Sequence, residues 1–311
     1  MKTGDLLARL LQNDPLALAK AITAVENRKK DYQKILEGIY PLPGDVLKIG
    51  VTGPPGSGKS SLIEKMIEGF KPQNRPIAVL AVDPSSPLTG GALLGDRLRM
   101  IQHGNDPNVF IRSIANRGHL GGLSLSTREI VDLLQAAGKQ IIIIETVGVG
   151  QSEVDIVNVA DVVLMVLNPE SGDEIQIFKA GIVEIADIFV VNKTDLGGGD
   201  SKVCEIRNFF ALSGRVPMIF PVSVKEERGI AELLAGVLRF QREEKEHIVR
   251  KSAALKRNYI ERIVAERFQE EMRLDPVIEA LLREGSAANP FHVAGRVVKR
   301  LKKGDSHDKK D

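Results

Sequence analysis

The sequence has little of what would support a disulfide framework, a transition-metal centre or a membrane anchor. Its one cysteine, Cys204, can form neither an internal disulfide nor, by itself, a cysteine-based zinc site. The five histidines are scattered, and no His-x-x-x-His or Cys-x-x-Cys pair occurs, so we expect no dedicated transition-metal site. The longest apolar runs, such as residues 162–167, have the length of a β-strand and are too short to span a bilayer.

The chain also lacks a large excess of charge of either sign. The 43 Lys and Arg residues nearly balance the 41 Asp and Glu residues, which leaves a net charge of +2 and no global basic field for nucleic acid. The charged C-terminal tail is typical of a solvated terminus. The first 15 residues lack the apolar core and cleavage site of a signal peptide. We therefore expect a cytoplasmic or organellar protein without nucleic-acid or membrane partners.

Short apolar runs alternate with amphipathic stretches from residue 46 onwards. Several runs consist almost entirely of Ile, Val and Leu, as expected for strands that are covered on both faces. The strand candidates are residues 47–51, 77–82, 109–113, 141–145, 162–167, 188–192 and 218–222. This alternation predicts an α/β fold with a mostly parallel sheet and helices on both faces. Ligands of such sheets bind beyond the carboxyl ends of the strands.

Both ends of the chain have the pattern of helices. Apolar positions recur at intervals of three and four within residues 5–38, and residues 16–39 form one such stretch. After residue 229 the strands stop, and the sequence predicts one long helix over 230–268 and shorter helices over 276–283 and 290–301. We expect an N-terminal helical extension (1–44), a central α/β domain (45–228) and a C-terminal helical arm with a charged tail (229–311).

A glycine-rich motif follows the first predicted strand and precedes a predicted helix over residues 60–70. Its residues are Gly53, Pro54, Pro55, Gly56, Ser57, Gly58, Lys59 and Ser60, followed by Ser61. The glycines let such a loop curl so that its backbone N–H groups point at phosphate oxygens, and the helix N-terminus adds positive potential. Lys59 is expected to reach the β- and γ-phosphates, and Ser60 to bind Mg²⁺. The motif in this context predicts the P-loop of a nucleoside-triphosphate-binding fold.

Carboxylates at strand ends near the P-loop are candidates for holding Mg²⁺, which prefers oxygen ligands. Glu145 ends an isoleucine run and begins Glu-Thr-Val-Gly, which resembles the Asp-x-x-Gly element of GTPases with Glu in place of Asp. The N–H of Gly148 would then meet the γ-phosphate. Asp83 ends the second predicted strand, and Asp96 follows Leu-Leu-Gly. Either of these two could instead cap a turn or a helix.

An Asn-Lys-x-Asp motif, residues 192–195, follows the sixth predicted strand. The carboxylate of Asp195 can accept hydrogen bonds from N1–H and the 2-amino group of guanine, whereas adenine offers neither donor, so the motif favours guanine strongly. Lys193 would lie along the base, and Asn192 would tie loops together. Ser223 fits the last loop on the base side, although Val224 stands where many GTPases have Ala. We therefore predict a GTPase that binds GTP and GDP with Mg²⁺ and uses Lys59, Glu145 and Gly148 in hydrolysis.

These residues together resemble the MeaB-type GTPases, also called ArgK-type, whose human relative is the methylmalonic aciduria type A protein. The resemblance covers about residues 15–300. Besides the P-loop it rests on residues 81–87 (Ala-Val-Asp-Pro-Ser-Ser-Pro), 90–97 (Gly-Gly-Ala-Leu-Leu-Gly-Asp-Arg), 145–153 (Glu-Thr-Val-Gly-Val-Gly-Gln-Ser-Glu) and 172–179, which begins Gly-Asp-Glu. The chain departs from some relatives at residues 169–171, Pro-Glu-Ser, where Ala and Gly are commoner.

The resemblance implies a chaperone of an adenosylcobalamin-dependent acyl-CoA mutase, such as methylmalonyl-CoA mutase. It also implies a homodimer joined through the C-terminal helical arm, and Mg²⁺ surrounded by Asp83, Asp96 and Glu145. By the same resemblance, Asp173, Gln176 and Lys179 belong to a third switch that communicates with the mutase. The sequence of that segment alone also fits an amphipathic surface helix.

Hydrolysis requires charge neutralisation and a positioned water, and the second requirement is incompletely met. Val149 stands where Ras-like enzymes have a Gln, so we expect slow intrinsic hydrolysis that the partner accelerates; Arg97 and Lys179 are candidate charge stabilisers. Two other classes remain open from the sequence: a metal-delivery GTPase for nickel enzymes, which the absence of a His/Cys cluster disfavours, and an ATP-dependent kinase of a small molecule, which Asp195 disfavours.

Overall fold

A seven-stranded parallel sheet forms the centre of the computed structural model of this chain. The structure describes residues 2–40, 45–84, 106–116, 125–146, 155–169, 185–211, 216–284 and 289–304. The order of the strands is β3-β2-β4-β1-β5-β6-β7, and every adjacent pair is parallel. The predicted α/β class with a parallel sheet is confirmed.

All seven predicted runs form strands, with ends that differ by at most three residues. The strands are β1 (Leu47–Thr52), β2 (Ile77–Pro84), β3 (Val109–Asn116), β4 (Ile141–Thr146), β5 (Val162–Leu167), β6 (Ile188–Val191) and β7 (Met218–Pro221). The central strands β1, β4 and β5 are almost completely buried, which explains why their sequences lack a polar face.

Each face of the sheet packs against its own helices. The central helices are α4 (Lys59–Phe70), α5 (Leu125–Ala136), α6 (Gly199–Ala211) and α7 (Ile230–Glu243). Ile49 and Val51 of β1 pack with Leu62 of α4 on one face. Gly50 lies on the other face, where a Cβ atom would approach the side chain of Ile156 to 2.7 Å. Glycine at this position lets the short helical turn Ile156–Asn158 lie close to the sheet.

The N-terminal extension forms part of the core on the second face. It contains α1 (Thr3–Leu11), α2 (Pro15–Glu26) and α3 (Tyr32–Gly38). Asp14 caps α2 by accepting from the backbone N–H groups of residues 16 and 17, and Pro15 occupies the first helical position. Ile22 is completely buried in a cluster with residues of α5. The extension is therefore stabilised by apolar burial against the sheet's helical layer.

The prediction of one helix over residues 16–39 was wrong. The backbone of Arg28 and Asp31 has positive φ angles of 46° and 74°, which ends α2 and precedes α3. Such left-handed conformations are uncommon in residues other than glycine and interrupt an α-helix. Here the turn allows Arg28 to place its guanidinium 2.5 Å from the nearly buried carboxylate of Glu129 on α5.

Two further polar contacts hold the extension. Tyr40 donates a hydrogen bond to Asp132 of α5 at 2.5 Å, and Glu26 accepts one from the backbone N–H of Ala115 on β3 at 3.2 Å. Burial, reinforced by the Asp132 carboxylate, raises the pKa of Tyr40 above its usual value, so this phenol remains a neutral donor. The carboxylates of Asp132 and Glu26 thus each have a hydrogen-bond partner.

The C-terminal region begins with α7 and continues with α8 (Lys245–Leu274), α9 (Pro276–Glu284) and α10 (Pro290–Gly304). The predicted single helix over 230–268 was wrong, because Glu244 leaves the helical conformation with φ −97° and ψ 19°. The chain divides into two compact units, Met1–Ser252 and Ala253–Asp311, and the boundary falls within α8. In the second unit, Ile278 and Leu281 form a small apolar core with Val297.

None of the helices that the structure describes combines the length with the apolar character needed to cross a bilayer.

Replacing Ile22 with Ala should destabilise the first unit by about 2 to 5 kcal/mol, because a fully buried side chain is truncated within a packed cluster. The control is Leu16→Ala on the same helix, where the side chain is 55% exposed and the loss should stay within about 0.5 kcal/mol. Urea unfolding followed by circular dichroism measures both. A loss of unfolding free energy in Ile22→Ala that is as small as the loss in Leu16→Ala would contradict a role of the extension in the core.

Candidate nucleotide-binding site

The P-loop connects β1 to α4 and is pressed against neighbouring elements. Gly53 has a φ of 138°, and a Cβ atom there would lie 2.1 Å from the backbone oxygen of Val166 on β5. Gly58 has a φ of 90°, and a Cβ atom there would lie 2.3 Å from Nδ2 of Asn192. Both conformation and space therefore require glycine at these two positions. The consequence is a loop whose backbone path is fixed by β5 and by Asn192.

Lys59 and Ser57 are the buried polar residues of this loop. The Nζ atom of Lys59 donates to the carbonyl oxygens of Gly53 and Pro54, at 2.7 and 3.0 Å, which places the ammonium group within the curl of the loop. The hydroxyl group of Ser57 is buried and has no hydrogen-bond partner among the described residues. A buried hydroxyl of this kind needs a partner, and a phosphate oxygen would supply one. Pro55 and Gly56 form the exposed tip, and Ser61 follows on α4.

Oxygen-bearing side chains meet where α4 begins. The hydroxyl of Ser60 donates to Oε1 of Glu145 at 2.7 Å. Glu145 is the penultimate residue of β4, in register with Val51 on one side and Ala81 on the other. Asp83 lies two residues beyond Ala81 on β2, and therefore on the same face of the sheet as Glu145. Both carboxylates are buried.

This donor set fits a hard divalent cation. Mg²⁺ takes oxygen ligands and is held in nucleotide sites by one or two protein groups together with phosphate oxygens and water. Within the described ranges no group of three or more His, Cys, Asp or Glu residues could hold a metal by itself. A hydroxyl and carboxylates beside a phosphate loop are protein ligands of this kind. Phosphate oxygens and water would supply the remaining ligands, so a cluster of three protein ligands is not needed.

Thr52 and Thr146, which no sequence motif singles out, join the ends of β1 and β4. Both residues are buried, and the hydroxyl of Thr146 donates to that of Thr52 at 3.1 Å, on the face opposite Glu145. This hydrogen bond holds the strand that carries the P-loop beside the strand that carries Glu145. The two threonines are 94 positions apart in sequence, so no local pattern relates them.

Asn192 joins the phosphate loop to the loop after β7. Its Nδ2 group donates to the carbonyl oxygen of Ser57 at 2.9 Å, and its Oδ1 atom accepts from the backbone N–H of Val224 at 3.4 Å. The side chain is nearly fully buried. The expectation that Asn192 ties loops together therefore agrees with its contacts.

Asp195 and Ser223, the two residues expected to bind the base, contact each other. The Ser223 hydroxyl donates to Oδ1 of Asp195 at 2.8 Å and itself accepts from the backbone N–H of Glu226 at 3.2 Å. This hydrogen bond from Ser223 is the main cause that lowers the pKa of Asp195, so the carboxylate is ionised at neutral pH and ready to accept. Lys193 precedes it with a left-handed backbone, φ 60°.

Several predicted residues lie outside the described residues. They are Asp96, Arg97, Gly148, Val149, Asp173, Gln176 and Lys179. The structure thus brings together the P-loop, Ser60 and Glu145 at one end of the site, and Asn192, Asp195, Ser223 and Val224 at the other.

Known proteins are similar to this chain in sequence and in fold. Residues 18–276 match the family model described as methylmalonyl Co-A mutase-associated GTPase MeaB. The GTPase ArgK of Escherichia coli is 37% identical over 251 residues, which cover 76% of each chain. A protein of Pyrococcus horikoshii is 52% identical over 202 residues, which cover 65% of this chain and 64%, just under two thirds, of that protein.

Structural comparison agrees with these matches. The crystal structure of an LAO/AO transport system kinase superposes with a TM-score of 0.68 at 25% identity, covering 96% of this chain and 97% of that one. The predicted resemblance is confirmed by the family match, which spans more than half of the sequence. The chain therefore belongs to the MeaB family and is a guanine-nucleotide-binding P-loop GTPase.

Proposed function

We propose that this chain is a Mg²⁺-dependent GTPase that acts as a chaperone of an adenosylcobalamin-dependent acyl-CoA mutase, and that GTP binding and hydrolysis are coupled to cofactor loading and protection of the mutase. The observation that carries the proposal is the match of residues 18–276 to the mutase-associated GTPase family. The site geometry supports the GTPase part, because phosphate-binding and base-binding residues are joined in one buried network.

The described residues divide the substrate between two ends of the site. The loop at 53–58, with Lys59, would bind the phosphates through N–H groups and one ammonium charge. The ionised Asp195 would accept from N1–H and the 2-amino group of guanine, while Ser223 holds its carboxylate in place. Lys193 would lie along the base, and the N–H of Val224 fixes Asn192 between both ends.

Ser60, Asp83 and Glu145 would hold Mg²⁺, with Asp96 as the further expected ligand. The metal supplies positive charge to the phosphate oxygens when it is bound. Glu145 keeps the Ser60 hydroxyl oriented at the N-terminus of α4. We further propose that the Gly148 N–H contacts the γ-phosphate and that Val149 leaves the attacking water poorly positioned. Intrinsic hydrolysis is then slow until the partner completes the site.

The second unit suits an interface between two copies of this chain. Apolar side chains remain exposed along its three helices, at Ile260, Val264, Phe268, Val277, Leu282, Phe291 and Val298. Such an apolar surface on a small helical unit favours association, and a homodimer would bury it. The segment with Asp173, Gln176 and Lys179 is then the proposed contact through which the mutase senses the nucleotide.

A second candidate is a kinase that phosphorylates a small molecule, because the solved structure with a TM-score of 0.68 is called an LAO/AO transport system kinase. The carboxylate of Asp195 disfavours adenine nucleotides, because adenine has neither an N1–H nor a 2-amino group to donate to it. Phosphate transferred from a nucleotide to an amino acid, instead of released, would support this candidate.

Asp195→Asn should weaken GDP binding by at least roughly 100-fold. An amide cannot accept both hydrogen bonds that guanine donates to the carboxylate, and each of these is worth about 1.5 to 3 kcal/mol. Xanthosine diphosphate should bind better to this variant than to the wild type, since the amide can donate to the 2-oxo group. Titration with fluorescent nucleotides measures both. Asp200→Asn, an exposed carboxylate at the start of α6, is the control. Unchanged GDP affinity in Asp195→Asn would refute the assignment of the base site.

Glu145→Gln should lower the affinity of the GTP-bound protein for Mg²⁺ by roughly 10- to 100-fold, because it removes the charge that holds the metal and the Ser60 hydroxyl. Mg²⁺ titration of GTP hydrolysis, or of fluorescent nucleotide release, gives the affinity. Glu68→Gln on the surface of α4 is the control, since this carboxylate bonds to Lys65 and takes no part in the proposed metal site. Identical Mg²⁺ dependence in wild type and Glu145→Gln would exclude Glu145 from the metal site.

The purified chain, loaded with GDP or with a non-hydrolysable GTP analogue, should retain a cobalamin-dependent acyl-CoA mutase from native extract in amounts that depend on the nucleotide. By reciprocity, a mutase that prefers one state must tighten that nucleotide by the same factor. A saturating mutase should also raise the single-turnover rate of GTP hydrolysis. Lys59→Ala, which cannot neutralise phosphate charge, controls for nucleotide-independent capture. Equal capture in both states together with an unchanged rate would contradict the chaperone function.

A further inference from the structure

An ion pair connects the P-loop helix to the loop that forms the base site. Lys65 of α4 places its Nζ atom 2.5 Å from Oε1 of Glu227, a residue 162 positions later in the chain. Glu227 belongs to residues 223–229, which we call the base loop. This pair is separate from the link through Asn192, because it joins the outer surface of α4 to the outer side of the base loop.

Lys65 is firmly placed on its side of the pair. It lies six residues after Lys59, on a helix whose Ile63, Met66 and Ile67 are completely buried in the core. This packing fixes the position of Lys65 through the helix backbone, and Glu68, three residues along the same helix, is a second, exposed partner of the ammonium group at 2.9 Å. Any element attached to Lys65 is therefore attached to the element that begins with the phosphate-binding residues.

Glu227 occupies the strained point of the base loop. Its φ angle is 55°, which is unusual for a residue with a Cβ atom and requires compensation from its surroundings. The loop is closed by two backbone hydrogen bonds between Ser223 and Arg228, each 3.0 Å long. Ser223 at its start binds Asp195, so a shift of the loop would move the hydroxyl that orients the guanine-binding carboxylate.

We propose that Lys65 and Glu227 are positioning residues that hold the base loop against the P-loop helix and thereby set the residence time of the bound guanine nucleotide. A nucleotide spans both ends of the site, so its release requires the base loop and the P-loop to separate at least briefly. The ion pair opposes that separation without touching the nucleotide. Each partner's hydrogen bond favours the charged form of the other, since the pKa of Lys65 is raised and that of Glu227 is lowered. The inference rests on the guanine-nucleotide site described above.

The test is the rate at which a fluorescent GDP analogue leaves the full-length protein, measured by stopped flow at low salt. Glu227→Gln should speed release by roughly two- to fivefold, the range expected from an exposed ion pair. Glu68→Gln removes the other partner of Lys65 but leaves the link to the base loop, and its release rate should equal that of the wild type. The double variant Lys65→Glu with Glu227→Lys should restore slow release.

Two further arms separate positioning from stability. Glu227→Gly relieves the strained backbone but also removes the carboxylate, so it should release GDP as fast as Glu227→Gln while its melting temperature does not fall. At about 1 M salt, where the screening length is about 3 Å, the release rates of wild type and Glu227→Gln should converge.

An unchanged release rate in Glu227→Gln, an equal acceleration in Glu68→Gln, or a failed charge swap would overturn the inference. Binding of GDP to the wild type is measured first. A wild type that does not bind GDP would refute the nucleotide site itself, whereas normal binding with an insensitive release rate would refute only the role of the ion pair.

Discussion

The buried side chain of Asn192 is the contact on which both halves of the nucleotide site depend. One amide group binds a carbonyl of the P-loop and a backbone N–H of the base loop at the same time. Asp in its place would lose the donor, and Gln would be one carbon too long for the space beside Gly58, which the amide of Asn192 already fills. The requirement for glycine at position 58 is therefore a consequence of Asn192 as much as of the phosphate-binding loop.

The ion pair between Lys65 and Glu227 and the hydrogen bonds of Asn192 differ in the free energy needed to break them. Asn192 is desolvated, so each of its unsatisfied hydrogen bonds would carry a penalty of about 1 to 3 kcal/mol, and its links are permanent parts of the folded site. Lys65 and Glu227 lie at the surface, where breaking their contact costs little because water replaces each partner. Under the proposed role of the ion pair, a buried link that defines the site and a surface link that opens easily would together allow a stable fold with a finite nucleotide lifetime.

The sequence predicted the sheet and the motif residues better than the helix ends and the long-range contacts. Buried parallel strands can be recognised from runs of Ile and Val, and the Gly-x₄-Gly-Lys-Ser motif can be recognised from its local spacing alone. The breaks at Arg28, Asp31 and Glu244 could not be foreseen, because left-handed or bridging backbone at non-glycine residues depends on tertiary contacts such as that between Arg28 and Glu129. Pairs such as Lys65 with Glu227 become neighbours only through the fold.

The fold also constrains how a partner could sense the nucleotide in the proposed function. The strands, α4 and the N-terminal extension share continuous buried cores, which resist gradual deformation. The carboxyl ends of β2, β4 and β5 lie beside Asp83, Glu145 and the P-loop, which is the end of the site where the proposed function places the phosphates. The base loop lies at the opposite end and is fixed to α4. In the proposed function, a partner that acts at the phosphate end would govern hydrolysis, and one that loosens the base loop would govern exchange.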